Sequence, residues 1–391
     1  MPLRFLTAGE SHGPALTVIV EGLPAGVPVE RARVDRELRR RMGGYGRGGR
    51  MKIESDSVEI LGGVRFGKTI GSPVSLLIRN LDHANWVVPM NPDGPHPGSK
   101  AARSVTRPRP GHADLAGALK FDTHDARDVL ERSSARETAA RTAAGALASS
   151  LLTEAGVEVT SHTVSVGEVV APETSEDGFD ALLGLPDDAP MRTVDAASAQ
   201  AMIEAVEAAR ASKDSIGGAF EVLARGVPPG LGSHAHWDRR LDGRLGGAMM
   251  SIQAVKAVSI GEGVEAAQRL GSRQHDEIRY DPEEKRFVRP TNRAGGIEGG
   301  MSNGEMIRVR CYLKPLATLP QPLGSVDLET KQSFEAVRER TDTIPIVAAG
   351  VVGEAMAALI LADELLLKFG GDSLDETLRN LRASRDRLTS F

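Results

Sequence analysis

Residues 22–26 read Gly-Leu-Pro-Ala-Gly and residues 226–230 read Gly-Val-Pro-Pro-Gly, and each pentapeptide follows a short apolar run, Leu16 to Glu21 in one place and Ala219 to Ala224 in the other. Runs of that length bounded by Gly and Pro read as strands entering tight turns. Asp35-Arg36-Glu37-Leu38 and Asp238-Arg239-Arg240-Leu241 then stand at nearly equal distances beyond the two turns. A chain that repeats strand, turn and helix start is expected to be an internal duplication, about 1–160 and 215–370, forming two similar halves around one core in a single domain of 1–391.

Between these landmarks the periodicities are mixed. Val34, Leu38 and Met42 recur every four residues, so a helix is expected from Val29 to Met42, ended by Gly43-Gly44. Met51 to Gly63 and Thr69 to Arg79 alternate or run apolar as strands do, whereas His83 to Pro110 lacks periodicity and reads as a long loop, a length usually kept for binding segments. Ser134-Ala135-Arg136-Glu137 matches a capping box opening an Ala-rich helix to about Glu154, with Gly156 at its end. Val157 to Val170 reads as a strand, about 171–199 as an acidic surface excursion, and about Ala199 to Ala211 as another helix. Ile344 to Leu361 is apolar, but Pro345, Gly350, Gly353 and Glu354 interrupt it, so a buried helix is expected rather than a membrane span.

Charge is the next constraint. Arg36 to Lys52 holds seven Arg or Lys against the single acid Glu37, although the chain has a formal net charge of -5. A local basic cluster on an acidic chain points to a compact anionic ligand rather than a polyanion. An RNA-binding reading of the same Arg/Gly stretch meets only nine Phe, three Tyr and two Trp as stacking platforms, so no nucleic acid is expected. Cys311 is the only cysteine, and the N-terminus lacks a secretory pattern; both fit a cytoplasmic protein.

Six segments could carry chemistry. His12 sits in Gly9-Glu10-Ser11-His12-Gly13, and histidine is a residue type that can protonate a leaving group; a histidine hydrogen-bonded in a turn would look the same. In Arg107-Pro108-Arg109-Pro110-Gly111-His112-Ala113-Asp114 the prolines fix the backbone around two arginines, a histidine and a carboxylate. Arg132-Ser133-Ser134-Ala135-Arg136 lies at a helix start, where free N–H groups favour an anion. The Gly-rich loop 295–304, Lys314 to Thr318, and Arg340 with Asp342 bring further backbone room and charge. Gly44, Gly46 and Gly49 satisfy G-x-G-x-x-G but follow a helix and precede a strand, the reverse of the dinucleotide context, and His234 with His236 lacks the partners of a metal site, so no metal is expected.

In order along the chain, GESHG, RRRMGGYGRGGRMKIESD, RPRPGHAD, ERSSARETAAR, GGIEGGMSNGE, KPLATL and ERTDTIPIVAAG resemble the signature blocks of the chorismate synthase family across almost the whole length. The resemblance implies an α+β fold, a β-α-β sandwich in one domain, commonly a tetramer. It implies a lyase of the shikimate pathway that converts 5-enolpyruvylshikimate 3-phosphate to chorismate by 1,4-anti elimination, with reduced FMN and no net redox change; NADPH is a candidate reductant. By that likeness His12, His112 and Asp342 are catalytic. Arg41, Arg47, Arg50, Arg109, Ser134, Arg136 and Arg340 hold substrate, and Arg132, Ser133, Ser134, Gln253, Ala254, Gly299, Lys314, Pro315, Leu316, Ala317, Thr318 and Arg340 contact FMN. The remaining alternative is a flavin-dependent reductase acting on an anionic substrate, which would consume reductant.

Overall fold

The computed structural model describes residues 2–48, 54–94, 104–175, 178–339 and 341–391. β1 (Arg4–Ala8) pairs with β2 (Ala15–Glu21), and α1 (Arg31–Met42), β3 (Val58–Gly62) and β4 (Val74–Arg79) follow. Alternation along β2 and β4 buries Leu16, Val18, Val20, Val74, Leu76 and Ile78 at no more than 1% exposure on one face. The strands are ordered β1-β2-β4-β3, every neighbour antiparallel.

Next come α2 (Asp114–Phe121), α3 (Arg127–Ser133), α4 (Thr138–Glu154), β5 (Glu158–Val166), β6 (Val169–Val170), α5 (Gly178–Leu183) and α6 (Ala196–Ala211). The chain ends with β7 (Gly218–Arg225), α7 (Leu241–Met250), β8 (Val255–Ile260), β9 (Ile307–Leu313), α8 (Ile346–Phe369) and α9 (Leu374–Leu388). The second sheet is ordered β8-β9-β7-β5-β6, again antiparallel throughout. Without its short edge strand β6, this sheet matches the first place by place. β5-β7-β9-β8 repeats β1-β2-β4-β3, α7 follows β7 as α1 follows β2, and a long helix, α4 or α8, closes each run. Both turns carry the same close approach. Gly22 and Gly226 have φ of +96° and +78°, and a Cβ on them would lie 2.5 Å from the Pro2 carbonyl oxygen and 2.2 Å from that of Gly156, just ahead of β1 and of β5.

The Ala-rich face of α4 lets it pack on β2 and β4 and also against α8. At the crossing a Cβ on Gly145 would lie 2.3 Å from Ala355 Cβ. α8 lies in turn on β5 and β7, where Cβ atoms on Gly350 and Gly353 would meet Ser161 Oγ at 2.7 Å and Phe220 Cε2 at 2.6 Å. This helix is long and apolar enough to cross a membrane, but almost all of that stretch is covered by the rest of the chain. It carries a buried carboxylate. Glu354 takes both Nη atoms of Arg40 at 2.7 and 2.8 Å and the Ser161 hydroxyl at 2.7 Å. Burial alone would raise the Glu354 carboxyl, yet Arg40 first, then Arg192 and Ser161, hold it below the usual carboxylate range.

Three sequence expectations need correction. The strand read as Met51 to Gly63 begins only at Val58; of its first residues, 51–53 lie outside the described ones, and Glu54 and Asp56 turn inward toward Arg136 at 3.7 and 2.6 Å. The capping box is half formed. Ser134 Oγ accepts from Arg136 N at 3.3 Å and caps a 3-10 turn leading into α4, but the Glu137 carboxylate pairs with Arg141 at 2.9 Å and Thr7 at 2.9 Å instead of reaching back. The 171–199 segment is not all surface. Phe179 and Leu182 are fully buried with Leu223 and Met306, and Arg192 donates to Ser161 O at 2.9 Å and Thr160 Oγ1 at 3.0 Å. Phe179, Leu182 and Met191 are too few and too widely spaced to make a period.

Glu354→Ala removes the two-pronged carboxylate partner of the buried Arg40 guanidinium, leaving it Glu37 and the more distant Asp187. Removing one partner of such a pair is expected to cost about 3–5 kcal/mol of stability, read as a lowered urea midpoint with unchanged slope.

Candidate active site

Arg41 is the last but one residue of α1, and the helix stops because the chain must turn sharply to meet the N-terminus of α8. Gly44 and Gly46 make that meeting, with φ of +91° and +87°. A Cβ on them would lie 2.6 Å from Val347 Cβ and 2.8 Å from Ile344 Cγ2. The glycines of the Arg/Gly stretch therefore serve close packing. Gly48 N donates to Asp342 Oδ1 at 2.6 Å, and Arg47 Nη1 lies 3.1 Å from Asp342 Oδ2.

These segments wall a cavity of about 520 Å³. The end of α1 and the loop beyond it supply Arg41, Arg47 and Gly48; the Arg107–Asp114 loop supplies Arg109, Gly111 and His112; and the turn from α3 into α4 supplies Ser133, Ser134, Arg136 and Thr138. The loop after α7 adds Ile252, Gln253 and Ala254, the end of β9 adds Lys314, Leu316, Ala317 and Thr318, and the start of α8 adds Asp342, Pro345, Ala348 and Val352. Both α4 and α8 thus present their N-terminal ends, the positive ends of their dipoles, to one space.

The electrostatics are crowded with cations. Arg41 and Arg136 share Asp56 Oδ2 at 3.2 and 2.6 Å, all three side chains being almost wholly buried. Burial pushes the Arg41 guanidinium down to about 10; Asp56 opposes this, and the like charges of Arg136 and Arg47 add to it. Burial also lowers Lys314, whose Nζ donates to Gly111 O at 2.9 Å. Arg41, Arg47, Arg109, Arg136 and Lys314 thus line the cavity with Asp342 as the one carboxylate among its described lining residues.

His112 is held by a carboxylate from its own loop. Its Nδ1 lies 2.5 Å from Asp114 Oδ1, and the same fully buried Asp114 receives Arg109 Nε at 2.8 Å and Arg109 N at 3.0 Å. Burial would raise the Asp114 carboxyl, but His112 and Arg109 hold it well below the usual range. Arg109 Nη1 also donates to Thr318 Oγ1 at 2.8 Å, tying this loop to the end of β9.

His12 does not line the cavity in this structure. Its ring is stacked on Trp86 at 3.7 Å, and its Nδ1 lies 2.8 Å from Glu131 Oε1. Its neighbour Ser11 reaches the cavity wall through a 3.1 Å hydroxyl contact with Ser134. Arg132 turns back to Gly9 O at 3.1 Å and Thr7 O at 2.9 Å, Pro315 is exposed between two lining residues, and Gly299 is exposed in the short hairpin Ile297–Glu298 with Met301–Ser302. Arg50 and Arg340 lie outside the described residues. The sequence reading missed Asp56 and Glu131 as site residues and noted Asp114 only as the carboxylate of its segment, without a role. Asp56 and Asp114 stood inside the basic motifs as the one signal available, a carboxylate among arginines, while nothing in the sequence ties Glu131 to His12.

A second cavity of about 520 Å³ is lined by Arg33, Arg36, Arg40 and Arg192, but these guanidiniums are already bonded to Thr153, Asp187, Glu354 and Thr160 respectively.

Comparison with known proteins agrees with this arrangement. The family model described as chorismate synthase matches residues 3–366. Curated relatives named chorismate synthase include one from Symbiobacterium thermophilum, 53% identical with 99% of each chain covered. Another, from Aquifex aeolicus, is 50% identical over 100% of this chain and 99% of its own. A solved structure titled "Crystal Structure of Chorismate Synthase" aligns with a TM-score of 0.79 and 39% identity, covering 100% of this chain and 99% of that one. With the match running through every segment that walls the cavity, the chain belongs to the chorismate synthase family.

Proposed function

We propose that this cavity takes up 5-enolpyruvylshikimate 3-phosphate and releases chorismate and inorganic phosphate by 1,4-anti elimination, a lyase reaction that needs reduced FMN without net oxidation. The observation that carries the reading is the convergence of Arg41, Arg47, Arg109, Arg136 and Lys314 with His112 and Asp342, from segments far apart in sequence, on one cavity. A substrate with one phosphate and two carboxylates matches that crowd of cations, and guanidinium forks suit both groups. Arg41, Arg47, Arg109, Arg136 and Ser134 are assigned to substrate binding, together with Arg50 and Arg340.

The wall also suits a flavin. Ser133 Oγ and Gln253 Oε1 are buried polar atoms without a hydrogen-bond partner among the described residues, and with Ser134, Ala254 and Lys314 to Thr318 they would hold FMN. Arg132, Gly299 and Arg340 are assigned to the same group from the family likeness. Reduced FMN, when bound, supplies the electron density that labilises the allylic C–O bond. The chain's own part is charge and protons. The arginines stabilise the departing phosphate, and His112 stands in the cavity wall under the restraint of Asp114. His12 is assigned as the proton donor to that phosphate from the family likeness, and it adjoins the wall here through the contact of its neighbour Ser11 with Ser134. Asp342, fixed by Arg47 and Gly48 N, relays a proton.

The same likeness favours a homotetramer, and the cross-strand pair Leu6 and Ile19, 72% and 46% exposed on the outer face of the first sheet, supports association with further copies.

His12→Ala and His112→Ala are each expected to lower turnover by roughly 10²- to 10⁴-fold with the fold intact, measured anaerobically with photoreduced FMN; near-normal turnover in either variant removes that residue's role. Wild-type protein should release one phosphate per turnover while the reduced flavin persists. Consumption of one reductant per product would favour the reductase instead. Light scattering on the purified protein should return the mass of four chains.

A further inference from the structure

We propose that Glu131 is the positioning residue for His12, gripping the ring and the main chain of the histidine together and so fixing which ring nitrogen carries the transferable proton. Glu131 Oε1 lies 2.8 Å from His12 Nδ1, and Oε2 accepts from His12 N at 2.8 Å. The Glu131 carbonyl also accepts from Ser11 N at 2.9 Å, so the Gly9–Gly13 loop is bound to α3 at three points by one residue. Glu131 is 3% exposed.

An ionised carboxylate can only accept, so the ring nitrogen facing it must be the protonated one. Nδ1 keeps its hydrogen whether the ring is neutral or charged, and Nε2 is left as the nitrogen that gives and regains a proton. Orientation is fixed as well. A carboxylate spanning the main-chain N–H and the ring of one residue permits little rotation about its side-chain bonds. Trp86 closes one ring face at 3.7 Å with the planes 24° apart, and His83 Nδ1 meets the His12 carbonyl at 2.9 Å. Arg127 backs the carboxylate, its Nη1 3.5 Å from Glu131 Oε1 and its Nη2 3.0 Å from Glu339. His112 has a comparable arrangement with Asp114 at 2.5 Å, so each of the two histidines assigned to the reaction is aimed by a buried acid.

The inference rests on the reading of His12 as the proton donor to the leaving phosphate, and the test keeps the two apart. Glu131→Gln preserves shape but offers an amide that can donate or accept, which frees the ring to adopt either tautomer. Turnover should fall at least roughly 10-fold, but by less than the roughly 10²- to 10⁴-fold expected of His12→Ala, with KM changed no more than about twofold. ¹⁵N spectra of histidine-labelled protein, with the His12 signals assigned by their absence in His12→Ala, should show Nδ1–H in the wild type and a mixture in Glu131→Gln. Glu131→Asp, which keeps the charge, should restore the Nδ1–H form and part of the rate. An unchanged tautomer in Glu131→Gln overturns the positioning role, whatever the rate. Near-normal turnover in His12→Ala instead overturns the donor role on which it rests.

Discussion

The buried pair between Arg40 and Glu354 sets the geometry on which the cavity depends. Successive residues on a helix point about 100° apart, so once Arg40 is locked onto α8 at 2.7 and 2.8 Å, the direction of Arg41 is decided too. Arg41 goes to the cavity because Arg40 cannot. The partner helix is equally constrained, since Gly145 of α4 lies against the backbone of α8 at Ala355, and Gly350 and Gly353 let side chains of β5 and β7 pack directly on α8. Close-packed elements of this kind have little freedom to shift, which suits a site that must place several charges within hydrogen-bond reach of a small molecule.

The cost of that placement is visible in the charges themselves. Asp56 serves two guanidiniums at once, and Arg41 is pushed down to about 10 by burial and by its like-charged neighbours. The overall charge of -5 gives no general attraction for anions. Binding of a phosphorylated, doubly carboxylated substrate must therefore come from this local excess of cations, where a low dielectric makes each contact stronger than in water. In the free protein Asp114, Asp342 and Asp56 keep the same cations hydrogen-bonded and aimed.

Local features of the site were legible in the sequence, and long-range ones were not. The stripe Val34, Leu38 and Met42 announced α1, which the structure places at Arg31–Met42. Gly43-Gly44 announced the end of that helix, but not that Gly44 and Gly46 would pack against Val347 and Ile344. Ser134 announced a helix start, but its partner Glu137 was drawn away by Arg141 and Thr7. Most of the side chains assigned from the motifs meet at one cavity; His12 stands behind the wall, stacked on Trp86. Its carboxylate lies 119 residues away, and Arg136 finds Asp56 across 80. Periodicity reports which face of an element is apolar and says nothing about which distant acid a given base will meet.

The strand orders β1-β2-β4-β3 and β5-β7-β9-β8 give the cavity a further logic. Its walls come from equivalent places in the two runs: the loop after α1 faces the loop after α7, and the start of α4 faces the start of α8. We infer that the two halves descend from one unit, with the cavity at the meeting of their equivalent ends. Their contributions have diverged. The first half brings Arg41, Arg47, Arg109 and Arg136, whereas the second brings Gln253, Ala254, the Lys314–Thr318 stretch and the apolar Ala348 and Val352. A symmetric pocket would offer the same chemistry twice. This one sets a cationic wall against a mostly neutral one, so its attraction for anions is concentrated on one side.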